Sequence, residues 1–266
     1  MSAVLYESEG GIATITLNRP QALNALDAAM IAGLKHATAK AEADDAVRVV
    51  IIRGAGDHFM AGGDLKWFRG ELAQHGAGGA DEVERQFARR IADVHASTRA
   101  IRRMGKPVVA QVHGAVAGFG LSLMLSCDFA LAADNAYFTL AYRHIGLSPD
   151  GGATWSLPRL VGQRKASEIA LLGDRFDAVT ALDLGLVNRV VAADALAGES
   201  RAFAGRFLHA SRGAIARTKA LLGASFEHSL DEHLDAEQAA FARCTAEPDF
   251  AEGLAAFVEK RKPEFR

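Results

Sequence analysis

Cysteine, net charge and long apolar runs are all scarce in this sequence of 266 residues. The two cysteines, Cys127 and Cys244, form no metal-type Cys-x-x-Cys pair, so we expect small buried thiols in a reducing compartment. The net charge of −2 argues against a nucleic-acid or membrane partner held by bulk charge. No apolar run reaches the ~18 residues that span a bilayer. The N-terminus lacks the pattern of a signal peptide, so we expect a cytoplasmic protein.

What the sequence does contain is an alternation of strand and helix signals up to about residue 200. Half of the residues are hydrophobic, enough for one large core. The predicted strands are 4–6, 12–17, 47–52, 107–112, 129–132 and 137–140. Gly10 and Gly11 supply the turn between the first two strands. Asp27 is expected to cap the first helix. Apolar residues at helical spacing from Val83 to Ile101 predict a long helix, and 121–125 is predicted to be a short one.

Strand signals end near residue 200, and helical periodicity takes over. Leu230, Leu234 and Phe241 fall on one helical face, and 250–260 is predicted to be a last helix. We therefore divide the chain into a β/α core, 1–200, and a C-terminal helical region, 201–266. The helical region is too small to hold a good core alone, so we expect it to pack on the core or on another subunit.

Two small-residue segments, 59–66 and 114–120, each follow a predicted strand. Each could be a plain glycine turn, or it could point a free backbone N–H outward at the start of a helix. Neither matches a nucleotide-phosphate motif. Together the two segments could form an oxyanion hole, which stabilises the charge that develops on a carbonyl oxygen. Arg102, Arg103 and Lys106 suit the end of the long helix, and a phosphate contact is the alternative.

Several ordered motifs resemble the crotonase (enoyl-CoA hydratase/isomerase) superfamily across nearly the whole chain. They are Leu17-Asn18-Arg19-Pro20, Ala22-Leu23-Asn24-Ala25-Leu26, Ala61-Gly62-Gly63-Asp64, Lys106-Pro107-Val108-Val109-Ala110, Cys127-Asp128, Pro158-Arg159-Leu160-Val161-Gly162 and the ending 252–261. The resemblance implies an α/β fold, a spiral of β/β/α repeats followed by a C-terminal helical trimerisation region. It also implies an acyl-coenzyme A substrate and a homotrimer or homohexamer.

The same resemblance implies roles for individual residues. The oxyanion-hole donors fall on the N–H groups of Gly63 and Phe119, and the Phe119 side chain is expected to reshape the acyl pocket. The expected coenzyme contacts are Ala22, Ala61, Gly62, Asp64, Leu65, Phe257 and Lys260, and the last two are expected to contact the coenzyme of the same or a neighbouring subunit. Asp64 is alternatively structural, and Gln21 stands where some members have a coenzyme-contacting Lys. No metal or redox cofactor is implied, because coenzyme A is part of the substrate.

The acid/base residues decide which reaction such a fold performs. The two glutamates of the hydratases fall on Ser122 and Tyr142, and neither can serve as a carboxylate base. Ile145-Gly146-Leu147-Ser148-Pro149-Asp150-Gly151-Gly152 resembles a stretch of the phenylacetate-pathway epoxyphenylacetyl-CoA isomerases, in which the aspartate is the base. The sequence therefore favours an enoyl-CoA double-bond isomerase with Asp150 as its base.

Alternatives remain at each step. Asp150 could be a turn-former before a helix beginning near Gly151. The chain could be a hydratase with a rearranged site, a thioester hydrolase, or a non-catalytic member that binds coenzyme A or RNA, although its balanced charge argues against RNA. His113 and His144 are possible pocket residues or packed histidines, and Trp67 and Phe68 wall the pocket or pack in the core.

Overall fold

Strands and helices alternate along most of the chain in the structure, a computed structural model that describes residues 2–265. The strands are β1 Val4–Glu9, β2 Ile12–Leu17, β3 Val49–Gly54, β4 Val108–Val112, β5 Ala115–Ala117, β6 Phe129–Ala133, β7 Tyr137–Thr139, β8 Phe176–Asp177 and β9 Arg189–Val191. The helices are α1 Ala28–Ala43, α2 Leu65–His75, α3 Ala80–Arg103, α4 Phe119–Ser126, α5 Ala153–Leu172, α6 Ala178–Asp183, α7 Leu196–Gly205, α8 Arg212–Ala224, α9 Leu230–Thr245 and α10 Pro248–Glu259.

The strands form two sheets. The larger has the order β1-β2-β3-β4-β6-β9, and all of its pairs are parallel except the β1–β2 hairpin. Ile15, Ile52, Ala110 and Ala130 lie side by side across it, and all four are buried. Parallel strands covered on both faces need continuous apolar sequence, which explains the Val- and Ile-rich run of β3. The smaller sheet has the order β5-β7-β8.

The chain repeats a unit of two strands and one helix, in which the first strand joins the large sheet and the second joins the small sheet. β4 joins the large sheet, β5 the small one, and α4 follows; β6, β7 and α5 repeat this order. The chain after β3 follows the same course, because Met60 bridges Val116 at the edge of the small sheet. The predicted α/β class and β/β/α repeat are confirmed.

Most element boundaries differ from prediction by a few residues. β3 begins at Val49, because Val47 lies in the turn where its N–H donates to the carbonyl of Asp44. β1 extends to Glu9, where the hairpin with β2 continues its pairing to the glycine turn. Asp27 caps α1 as expected, accepting a hydrogen bond of 2.8 Å from Met30 N–H. Gly76–Gly78 forms a 3-10 helix between α2 and α3.

Two of the basic residues near the end of α3, Lys106 and Arg102, have structural partners. Lys106 Nζ donates to the carbonyls of Ala41, Glu42 and Asp44, so it neutralises the C-terminal end of α1 rather than a phosphate. The Arg102 guanidinium lies over the Trp155 ring, 4.8 Å from its centroid.

Helices alone follow β9, as predicted. The boundary drawn at residue 200 falls inside α7, which packs on β3, β4 and β6 through Leu196 and Phe203. α8 is fixed to the core by Lys219, whose Nζ donates to Asp128 Oδ2 at 2.6 Å and to the carbonyl of Ile101 at 2.9 Å. α9 packs on α8, and α10 packs on α9.

Large apolar side chains on these last helices face solvent, among them Leu230, Phe241 and Phe257. Within residues 2–265, no helix is both long enough and apolar enough to cross a bilayer.

Candidate active site

The two small-residue segments lie against each other at one end of the sheets. Met60 N–H donates to the Ala115 carbonyl at 3.0 Å, and Ala117 N–H donates to the Met60 carbonyl at 2.9 Å. These bonds place the loop that leads into α2 beside the loop that leads into α4. Gly63 is also paired with Leu26 in a short parallel bridge.

Backbone contact between Gly62 and Gly118 makes this approach possible. A Cβ on Gly62 would lie 3.1 Å from the Ala117 carbonyl oxygen, and one on Gly118 would lie 3.3 Å from the Gly62 Cα. Both glycines have positive φ, 92° and 52°, which other residues rarely adopt. Small residues are therefore required in both segments.

Two backbone donors are left free where the segments meet. Within the described chain, the N–H groups of Gly63 and Phe119 donate to no protein acceptor. Phe119 is the first residue of α4, where the helix leaves its N–H unpaired and carries the positive end of its dipole. The structure thus brings together the two donors that the sequence predicted from separate segments.

A cavity of about 270 Å³ opens beside these donors. Gly63, Phe119, Tyr142 and Asp150 all border it. Its apolar walls include Leu26, Trp67, Phe68, Phe87, Ile91 and Val94. Such a cavity, mostly apolar with a few convergent polar groups, has the character of a small-molecule site.

The structure shows which of the four side chains with two possible roles, Trp67, Phe68, His113 and His144, border the cavity. Trp67 and Phe68 wall the cavity and contact each other, with ring centroids 5.4 Å apart. His144 also borders the cavity, whereas His113 does not and instead lies with its Nε2 2.7 Å from the Gly56 carbonyl oxygen.

Asp150 is the carboxylate at this cavity, and it is bound to Tyr142. The Tyr142 hydroxyl donates to Asp150 Oδ1. Burial raises the pKa of Asp150, and the Tyr142 hydrogen bond partly opposes this rise. Burial also raises the pKa of Tyr142, and the neighbouring carboxylate raises it further. A neutral phenol therefore donates to a carboxyl group that holds its proton more tightly than usual.

The turn-former alternative for Asp150 stays open for its backbone, whose carbonyl accepts the Ala153 N–H at 3.4 Å, but it does not account for the side chain. The N-cap of α5 is Gly152, and the helix begins at Ala153 rather than near Gly151. The Asp150 side chain therefore does not cap the helix and is directed to Tyr142 instead.

Gly151 brings this turn against the α4 segment. It has a φ of 62°, and a Cβ there would lie 2.7 Å from the Phe119 ring and 2.8 Å from Ser122 Cβ. The positions of the hydratase glutamates, Ser122 and Tyr142, thus lie beside Asp150 without supplying a carboxylate of their own.

The expected coenzyme contacts divide into two groups. Ala61, Gly62 and Leu65 border the cavity, and Ala22 lies in the 3-10 helix Pro20–Ala22 next to Leu23, whose carbonyl accepts the Ala61 N–H. Phe257 and Lys260 lie far along the C-terminal helices, where Phe257 is 84% exposed and neither residue borders the cavity.

Asp64 has a structural role in this chain. Its carboxylate caps α2 by accepting the N–H groups of Lys66 and Trp67, and it binds Arg19 at 3.0 Å. Burial acts against ionisation, but these hydrogen bonds together hold its pKa below the usual range. A coenzyme that contacted the Asp64 carboxylate would have to share it with Arg19 and with the N–H groups of Lys66 and Trp67.

Three site residues were missed by the sequence analysis: His95, Arg90 and Glu71. His95 Nε2 accepts the Gly151 N–H at 3.2 Å. Arg90 borders the cavity, and its Nε lies 3.4 Å from the buried Glu71 carboxylate, which also accepts the Trp67 indole N–H at 3.1 Å. The available signal was polar residues on an apolar helical face, since His95 follows Ile91 by one helical turn.

Comparisons with known proteins agree with this geometry. A family model described as enoyl-CoA hydratase/isomerase matches residues 7–266. The crotonyl-CoA hydratase of Syntrophomonas wolfei is 35% identical, over 98% of this chain and 97% of its own. The 1,2-epoxyphenylacetyl-CoA isomerase of Escherichia coli is 32% identical, over 100% of this chain and 98% of its own.

Solved structures give the same result. A crystal structure of an enoyl-CoA hydratase from Polaromonas sp. JS666 superposes with a TM-score of 0.90 and 38% identity, covering 99% of both chains. The crotonase-type fold predicted from the sequence is confirmed, and the chain belongs to the enoyl-CoA hydratase/isomerase family.

Proposed function

We propose that this protein is an enoyl-CoA double-bond isomerase in which Asp150 moves the proton. The observation that carries the proposal is the single carboxylate of Asp150 at the cavity, next to the free N–H groups of Gly63 and Phe119. Ser122 and Tyr142 offer no second carboxylate with which to hold and activate a water molecule.

The reaction conserves every atom of the substrate. The thioester carbonyl oxygen accepts hydrogen bonds from Gly63 and Phe119, which acidifies the α-carbon of a 3-enoyl thioester. Asp150 removes the α-proton, and the electron pair spreads over the dienolate, whose negative charge rests on the oxygen between the two donors. The carboxylic acid then returns the proton to the γ-carbon, and the double bond moves into conjugation with the thioester.

The raised pKa of Asp150 suits this task. A general base is most effective when its pKa approaches the working pH, and burial shifts Asp150 in that direction. The Tyr142 hydroxyl donates to the carboxylate and so opposes this rise in pKa.

The cavity favours a compact acyl group. An apolar cavity of about 150 Å³ is enough to hold benzene. The volume of about 270 Å³ here admits one ring or a short branched chain beside the thioester, between the aromatic walls of Trp67, Phe68 and Phe87. The E. coli relative is named for an acyl group that carries such a ring.

Hydration is the second candidate, because the S. wolfei relative is named a crotonyl-CoA hydratase. A hydratase working here would need Asp150 alone to position the water. Incubation with a panel of enoyl- and dienoyl-CoA thioesters in heavy water separates the two reactions. Isomerisation adds no mass except exchanged deuterium, whereas hydration adds a molecule of water.

Replacing Asp150 by asparagine tests the assignment of the base. Asp150→Asn keeps the size and an acceptor for Tyr142, and it should lower isomerisation by roughly 10²–10⁴-fold with little change in acyl-CoA affinity. Asp177→Asn is the matched control, because Asp177 caps α6 and an asparagine caps equally well. Near-wild-type turnover in Asp150→Asn would refute the mechanism.

A further inference from the structure

The backbone that carries Asp150 is held from its far side by a histidine. His95 lies on α3, and its Nε2 is 3.2 Å from the backbone nitrogen of Gly151. The Gly151 N–H is the donor, so Nε2 is the unprotonated nitrogen and the ring proton sits on Nδ1. Among the described residues, His95 is the only acceptor for this N–H.

The turn itself has one long hydrogen bond, from the Ala153 N–H to the Asp150 carbonyl at 3.4 Å, and its backbone is otherwise permissive. Gly151 and Gly152 follow Asp150 and have φ of 62° and 87°. A pair of glycines fixes direction poorly, since each tolerates many backbone conformations. Tyr142 holds the Asp150 carboxyl group, but it cannot by itself fix the peptide that follows.

We infer that His95 is a positioning residue, which aims the Asp150 carboxylate by holding the Gly151 peptide. This inference rests on the proposed function, since it gives His95 a role only through Asp150. The hydrogen bond between His95 and Gly151 joins two elements that both border the cavity. Helix α3 supplies Phe87, Ile91 and Val94 to the cavity wall, and the turn supplies Asp150. The helix that contacts the acyl group therefore also sets the direction of the group that takes its proton.

The variants His95→Leu and His95→Gln separate positioning from packing. Leucine keeps much of the volume but removes the acceptor, and a misplaced catalytic group can lower the rate by about 10²-fold. We expect kcat to fall by roughly 10- to 100-fold while KM stays nearly unchanged. Glutamine places an amide oxygen near the position of Nε2, so it should restore most of kcat. A purely packing role predicts no rescue by glutamine.

A double-mutant cycle with Asp150→Asn shows whether His95 acts through Asp150. If it does, His95→Leu should have little further effect once the carboxylate is gone, because coupled residues are not additive. An active Asp150→Asn protein would refute the proposed function itself. Suppose instead that Asp150→Asn has a greatly reduced but measurable rate. The role of His95 alone would then be refuted if His95→Leu has wild-type kcat, or if the rate losses of the two single variants multiply in the double variant.

Folding must be shown for each variant by circular dichroism and thermal melting. If His95→Leu does not fold, His95→Asn replaces it in the cycle, because its shorter amide stays polar but does not reach Gly151. Wild-type kcat in a folded His95→Asn protein would overturn the inference, and loss of kcat at unchanged KM would support it.

Discussion

The hydrogen bond from Tyr142 to Asp150 should set the pH at which the enzyme becomes active. In the proposed mechanism Asp150 accepts a proton only when it is ionised, so kcat/KM should fall at pH values below its pKa. Burial raises this pKa, and donation from the Tyr142 hydroxyl lowers it again by stabilising the carboxylate. Tyr142→Phe removes the donor and leaves the burial, so the acid limb of the profile should move to higher pH.

The size of this shift follows from the kind of bond. A hydrogen bond to a charged group contributes about 1.5–3 kcal/mol. One pKa unit corresponds to about 1.4 kcal/mol, so the acid limb should rise by roughly 1–2 units. The measurement is kcat/KM for a 3-enoyl-CoA substrate from about pH 4 to 9, which reports the free enzyme.

Tyr137→Phe is the matched control for this experiment. Tyr137 lies on β7 under the Arg175 guanidinium, 4.7 Å from it, and does not border the cavity. Its loss of a phenolic hydroxyl should leave the profile in place. An acid limb that stays fixed in Tyr142→Phe, or moves to lower pH, would show that Tyr142 does not stabilise the ionised base.

The remaining predictions concern reaction, stability and assembly. With Ser122 and Tyr142 at the hydratase positions, crotonyl-CoA should be hydrated below ~1 s⁻¹, and stopped-flow absorbance that shows a usual turnover of ~1–10³ s⁻¹ would contradict this. Asp150→Asn should raise Tm near pH 7, by about 2–4 °C for each kcal/mol of relieved burial. The gain should shrink as pH falls towards ~3.9, where aspartate is protonated even when unfolded; a lower Tm at pH 7 would oppose the argument. Phe241 and Phe257, 71% and 84% exposed, should be covered in a trimer or hexamer; light scattering that gives a monomer at micromolar concentration would exclude this.

The elements that could be predicted from sequence are those set by local chemistry. Asp27 preceding an apolar periodic stretch correctly marked the start of α1. The β-branched run near Ile52 correctly marked a buried strand, because a two-sided parallel sheet demands such a run. The predicted end of this strand, at residue 52, is two residues short, because pairing with β2 continues to Gly54.

The contacts within the site could not be predicted from sequence in the same way. His95 and Gly151 are 56 residues apart, and their hydrogen bond depends on how α3 crosses the turn before α5. The same holds for Arg90 and Glu71, on two helices that meet only after folding. Motif resemblance pointed to Gly63, Phe119 and Asp150, which the structure brings to one cavity, whereas the residues that contact them depend on tertiary packing.

The contact between Phe119 and Gly151 restricts how this site can change over time. A Cβ at position 151 would lie 2.7 Å from the Phe119 ring, so the two positions cannot both carry large side chains. A smaller residue at position 119 would not by itself open position 151, because a Cβ there would still lie 2.8 Å from the Ser122 Cβ. The φ of 62° at position 151 also opposes any side chain. Glycine is therefore held at position 151 by three separate constraints, and divergence of this site is confined to the residues around it.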